Sequence, residues 1–140
     1  MPAVLYVEDE PTIRRVVQLW LGRHGITVHT AVGVEEARQL LDHEHVDGVF
    51  IDAWLEDGTG LDLYEWIRRE RPSLAGRAAF VTGDTIDPRS RERLAATGRP
   101  VVIKPFDLDE LKTMVATWVS GASGGKGRER ETGLGGEGGR

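Results

Sequence analysis

Four short polar groups interrupt the apolar runs of this sequence: Glu8-Asp9-Glu10, Asp52, Thr82-Gly83-Asp84 and Lys104-Pro105-Phe106. One acidic residue after an apolar run means little, because loops are polar and Asp favours turns and helix caps. Glu8, Asp9 and Asp52 brought together are harder to dismiss, since like charges in a cleft repel unless a cation neutralises them. Carboxylates and a backbone carbonyl make the incomplete all-oxygen shell that Mg²⁺ accepts while keeping several waters. Beside such a metal Asp52 can act as a nucleophile toward phosphorus, because carboxylates form aspartyl phosphates. Lys104, a solvated surface residue if taken alone, can pair with Asp52 and then with a phosphoryl oxygen. Thr82 can donate its hydroxyl to the same group, or serve only as a β-favouring residue.

Convergence of these groups requires elements that bring them to one edge. Short apolar runs alternate with amphipathic stretches five times, the signature of βα units and a parallel sheet. The strand candidates are Ala3 to Val7, Ile26 to Thr30, Val46 to Ile51, Ala78 to Val81 and Val101 to Ile103. Pro11 suits the first turn of a helix that repeats Ile13, Val16, Val17, Trp20 and Leu21 and stops at Gly25. Further helices are expected over Val34 to His43, Leu61 to Arg69, Pro88 to Ala96 and Leu108 to Val119. A (βα)₅ chain has right-handed crossovers and a doubly wound sheet whose ligands sit at the carboxyl ends of the strands. All four polar groups fall at that rim.

Composition narrows the classes. A chain of 140 residues with 39% hydrophobic and 29% charged residues suits one globular domain, and no apolar run approaches a membrane span. The first residues carry no basic leader, and the absence of cysteine excludes disulfides and thiolate metal sites. A cytoplasmic location is expected. The net charge of −5 gives no electrostatic footprint for nucleic acid, so neither direct DNA contact nor a membrane partner is expected. Residues 1–120 read as the domain. From Gly121 to Arg140 apolar residues nearly vanish and Gly dominates, which reads as a flexible tail.

The acidic pair Glu8-Asp9, the segment Asp52-Ala53-Trp54-Leu55-Glu56-Asp57-Gly58-Thr59-Gly60, Thr82-Gly83 and Lys104-Pro105-Phe106, in that order and spacing, resemble the response-regulator receiver family over about residues 3 to 119. The resemblance implies a flavodoxin-like (βα)₅ sandwich, with a five-stranded parallel sheet in the order 2-1-3-4-5. It implies that Asp52 accepts phosphate from a sensor histidine kinase or histidine phosphotransfer protein. Asp9, Asp52 and the Trp54 carbonyl would bind Mg²⁺ directly, and Glu8 through a water. Thr82 and Lys104 would bind phosphoryl oxygens, Gly83 would leave room for the group, and Lys104-Pro105 would be cis. Such a domain assists its own phosphorylation and dephosphorylation without being an enzyme in the ordinary sense. It switches a downstream protein through its fourth helix, fifth strand and fifth helix, with homodimerisation left open. The stretch Leu94 to Val101 with Lys104-Pro105-Phe106 is similar to receivers that are attached to, or serve, hybrid kinases.

Two positions depart from the family. Glu56 stands where proline is frequent, and Val101 where many receivers have a Tyr or Phe that swings inward as the Thr moves. The Trp54 side chain either covers the phosphorylation pocket or is a partly exposed loop aromatic. His24, His29, His43 and His45 read as surface residues, and Arg89, Arg91, Arg93 and Arg99 as a solvated face or an acidic partner's contact. Three alternatives stay in view. A haloacid-dehalogenase-type phosphotransferase would need Asp-x-Asp at the nucleophile, a dinucleotide-binding module would need a Gly-x-Gly-x-x-Gly turn, and a pseudo-receiver would keep the fold without the chemistry.

Overall fold

Strands buried on both faces need helices on both faces. The computed structural model describes residues 1–83 and 85–121; Asp84 and most of the Gly-rich segment, 122–140, lie outside the described residues. Strand β1 (Ala3–Val7) leads to helix α1 (Pro11–Arg23), and β2 (Thr27–Ala31) to α2 (Val34–His43). Strand β3 (Gly48–Asp52) is followed by a hairpin of β4 (Trp54–Leu55) and β5 (Gly58–Thr59), then α3 (Gly60–Glu70) and the single turn α4 (Pro72–Ala75). The chain continues through β6 (Ala78–Gly83), α5 (Pro88–Ala95), β7 (Val101–Lys104) and α6 (Leu108–Ser120). The five long strands form one sheet in the order β2-β1-β3-β6-β7, every neighbouring pair parallel. Counted along that sheet alone, this is the expected 2-1-3-4-5 order.

Alternating side chains divide the core in two. Leu5, Val7, Val49, Ile51, Ala78 and Phe80 face α2, α3 and α5 through Ala37, Leu41, Leu63, Ile67 and Leu94. Val4, Tyr6, Phe50, Ala79, Val81 and Val102 face α1 and α6 through Val17, Leu21, Leu111, Val115 and Trp118. The period of two in a strand therefore decides which helix layer each residue meets. Because Asp52 follows Ile51 and Glu8 follows Val7, both continue the α1/α6 side at the rim.

Helix starts follow local capping chemistry. Glu10 caps α1 by accepting from the Thr12 N–H, with Pro11 at the first helical position. Thr59 and Asp62 form a reciprocal capping box on α3, and Asp87 accepts from the Ser90 N–H at the start of α5. The end of α6 closes on Gly121 at φ +76°, a left-handed conformation that glycine adopts without strain. Two elements fall outside the sequence reading, the β4–β5 hairpin and α4. Strand β2 starts one residue later than expected, leaving Ile26 as a buried lead-in residue.

Gly48 opens β3 where the Trp118 ring, itself 5.0 Å from the Phe50 ring centroid, packs over the backbone. A Cβ at Gly48 would collide with that ring and stand 3.0 Å from the Arg77 carbonyl. Gly48→Ala is expected to destabilise the fold by about 1–3 kcal/mol through overpacking. Urea denaturation with an unchanged m-value measures it, and a neutral result would mean that Trp118 has room to retreat.

Candidate functional site

Strand order brings the chemistry together. β1 and β3 are neighbours at the centre of the sheet, so Glu8 and Asp9 leave it beside Asp52. Ligand oxygens of Glu8, Asp9 and Asp52 all lie within 4.8 Å of one another. Glu8 and Asp52 are buried, whereas Asp9 is half-exposed. From β7, two strands beyond β3, the Lys104 ammonium donates to Glu8 Oε1 at 2.8 Å and to Asp52 Oδ2 at 3.1 Å. Pairing with Asp52 was legible from residue types; the shorter bond to Glu8 was not.

The charge balance is uneven. Burial pushes the Glu8 carboxyl up to about 7, its hydrogen bond with Asp52 pushes the same way, and Lys104 partly offsets both. Burial pulls the Lys104 ammonium down, but its bond to Glu8 and the charge of Asp52 outweigh that and hold it above its ordinary value. One ammonium therefore serves a site holding three carboxyl groups.

Two buried hydroxyls complete the surroundings. Thr82, on β6, is 1% exposed, and its Oγ1 has no hydrogen-bond partner among the described residues. A buried unpaired hydroxyl is costly. Tyr6 lies two residues before Glu8 on the same strand face, with its hydroxyl also unpartnered. Burial, then the charges of Glu8 and Asp52, push its phenol upward, so it stays protonated.

The hairpin folds back over Asp52. The Trp54 N–H donates to Asp52 Oδ1 at 3.1 Å, and the Gly60 N–H donates to the Ala53 carbonyl at 2.9 Å. A Cβ at Gly60 would strike the Asp52 carbonyl, so this return needs glycine. The Trp54 side chain is 53% exposed, favouring the partly exposed loop aromatic among its two sequence readings. Gly83 stands in register with Lys104, and a Cβ there would meet nothing nearer than Thr85 Oγ1 at 3.8 Å, so packing does not demand glycine. The Lys104–Pro105 peptide is cis. Sequence reasoning missed Arg14, whose guanidinium donates to the Glu8 carbonyl at 2.8 Å, and the reach of Asp57 to α2. Arg14 follows Glu10 by one helical turn, a spacing that could have placed it over the β1–α1 loop.

An all-oxygen set of three carboxyl groups, one of them pushed to about 7, has the chemistry of a Mg²⁺ site. The raised Glu8 value also sets the sign of a pH effect. Folded Glu8 holds its proton more tightly than unfolded Glu8, so its stabilising contribution is full below pH 4.5 and is lost as pH rises toward 7. In EDTA, Glu8→Gln should gain stability relative to the natural chain across that interval, by on the order of 2 kcal/mol or roughly 4 °C or more in Tm. Parallel Tm profiles from pH 5 to 7 would contradict the assignment.

Comparison with known proteins agrees with this arrangement. A family model described as the response regulator receiver domain matches residues 4–116. The response regulator protein PilR of Pseudomonas aeruginosa is 36% identical over 113 residues, which is 81% of this chain but 25% of PilR. A receiver protein from Pseudomonas putida aligns with TM-score 0.74 and 33% identity over 83% of this chain and 96% of its own. The response regulator TrrA of Thermotoga maritima, solved in complex with Mg²⁺–BeF, aligns with TM-score 0.72 and 28% identity over 84% and 99% of the two chains. With its matched span running from β1 into α6, this chain belongs to the response regulator receiver domain family.

Proposed function

We propose that this chain is a phosphoacceptor in two-component signalling, taking a phosphoryl group on Asp52 from a phosphohistidine of a sensor kinase or phosphotransfer protein. The observation that carries the reading is the Lys104 ammonium shared between Glu8 and Asp52 beside a buried, unpartnered Thr82 hydroxyl. As the donor's N–P bond breaks, its electron pair stays with the imidazole, and an Asp52 carboxylate oxygen forms the new P–O bond. Lys104 then exchanges its bond to Asp52 for a phosphoryl oxygen, and Thr82 donates to another. Asp9, Asp52 and the Trp54 carbonyl would hold Mg²⁺, with Glu8 holding one of its waters; when bound, the ion supplies charge against the incoming phosphoryl oxygens. Gly83 leaves the approach unencumbered.

The same site assists loss of the phosphoryl group, so the chain is a signalling domain rather than a turnover enzyme. Residues 1–120 form the receiver unit and 121–140 its tail, in a cytoplasmic protein. The phosphorylated form switches contacts with a downstream protein across α5, β7 and α6. A groove lined by Val101, Ile103, Phe106, Glu110 and Met114 lies on that face. The chain spans a quarter of PilR and 53% of the regulator PhoP of the same organism.

Incubation with acetyl phosphate and Mg²⁺, followed by intact mass, should add one phosphate that Asp52→Asn abolishes. No adduct from acetyl phosphate or any phosphohistidine donor would sink the proposal and favour a pseudo-receiver.

A further inference from the structure

Helix α2 lacks a cap of its own. Gly33 stands at its N-cap with no side chain to accept from the first-turn N–H groups. Asp57, 23 residues beyond Val34 and at the tip of the β4–β5 hairpin, does this instead. Its Oδ1 accepts from the Val34 N–H at 2.8 Å and its Oδ2 from the Glu35 N–H at 3.0 Å. Those two bonds hold its carboxyl below the usual range, as expected of a carboxylate at a helix N-terminus. The bareness of Gly33 makes room, because a Cβ there would run into the Asp57 carboxylate. Gly33 has extended backbone that any residue adopts, so its lack of a side chain, rather than its backbone conformation, fits it to Asp57.

The hairpin is therefore tied at both ends. At its base the Trp54 N–H holds Asp52 Oδ1, and the Thr59–Asp62 capping box fixes the start of α3. At its tip, Asp57 fastens it to α2. Between these ties the ladder consists of the pairs Trp54↔Thr59 and Leu55↔Gly58, with the buried Leu55 side chain as its apolar anchor, and so short a ribbon does not hold its own shape in water.

We propose that Asp57 is a positioning residue of the metal site: by capping α2 across the chain, it fixes the hairpin that carries the Trp54 carbonyl beside Asp52. The inference rests on the Mg²⁺ reading above. Asp57 touches neither the ion nor the phosphoryl group, and it acts through the backbone of residues 54–59. Supporting contacts outside a ligand shell commonly change metal affinity by about 10–100-fold.

A Mg²⁺ titration followed by the amide resonances of Trp54 and Leu55 tests this, with Tm measured on the same samples in EDTA. Asp57→Ala should weaken Mg²⁺ binding by about tenfold or more and lower Tm. In Gly33→Ser/Asp57→Ala the serine can cap α2 locally, so Tm should recover while Mg²⁺ affinity stays weak, because the tether to the hairpin is still absent. Asp57→Asn keeps one accepting oxygen and should fall between the natural chain and Asp57→Ala in affinity. Recovery of affinity together with Tm in the double variant would reduce Asp57 to a helix cap and overturn the proposal. So would Mg²⁺ affinity within about twofold of the natural chain in both Asp57→Asn and the double variant, since loss of a supporting contact should cost about tenfold or more. A natural chain whose resonances do not respond to Mg²⁺ at all would overturn the metal reading and this inference with it, whereas the other two outcomes leave the metal reading intact.

Discussion

Three carboxyl groups within 4.8 Å of one another are the constraint on which this rim depends, and Lys104 is the cation that answers it. Its bonds to Glu8 and Asp52 span the sheet from its β7 edge, so the site requires β1, β3 and β7 at fixed spacing. Burial first, then the hydrogen bond with Asp52, pushes Glu8 up to about 7, and Lys104 offsets them only in part. A divalent cation would lower the cost of holding three carboxyl groups together. Gathered charge of this kind is common at functional sites.

Everything that brings these groups together is built from ordinary packing. The period of two along each strand sends Tyr6 and Phe50 into the α1/α6 layer, so Glu8 and Asp52 arrive on that same side of the rim. Thr82 follows Val81 and so continues the opposite side of the sheet, in register with Ile103, one residue before the pair Gly83↔Lys104. Tyr6 and Phe50, with ring centroids 6.1 Å apart, form an apolar floor beneath the carboxyl groups. Burial of the Glu8 carboxyl is the first cause of its raised value.

Most of this frame was legible because the sequence signals were local. Ala3–Val7 and Val34–His43 match their expected bounds, since an apolar run and an amphipathic period are properties of contiguous residues. Ile26 was misplaced because its burial resembles a strand's, whereas its backbone lies before the ladder that Thr27 begins. The β4–β5 hairpin was missed although Asp57-Gly58 stood in the quoted motif: two pairs of residues leave no periodicity to read. What sequence could not supply were distances between strands remote in the chain. Lys104 near Asp52 followed from their places at the same carboxyl edge of the sheet, but its closer bond to Glu8 depends on side-chain reach across the rim.

Val101 bears on how a change at the rim would spread. It is half-buried on β7, in register with Phe80, and packs as an aliphatic residue at the margin of the α2/α3/α5 layer. An aliphatic side chain there has no large ring to swing inward, so a displaced Thr82 must act through backbone. Thr82 is the next-to-last residue of β6, and the chain runs from there toward α5, where Leu94 is the buried residue. Helix α3 by contrast buries Gly60, Leu63, Tyr64 and Ile67. Apolar burial sets the free energy of displacing an element, so α5 moves at less cost than α3. Under the proposed phosphoryl uptake, a pull on the Thr82 hydroxyl therefore has a short mechanical route to the α5, β7 and α6 face without an aromatic relay.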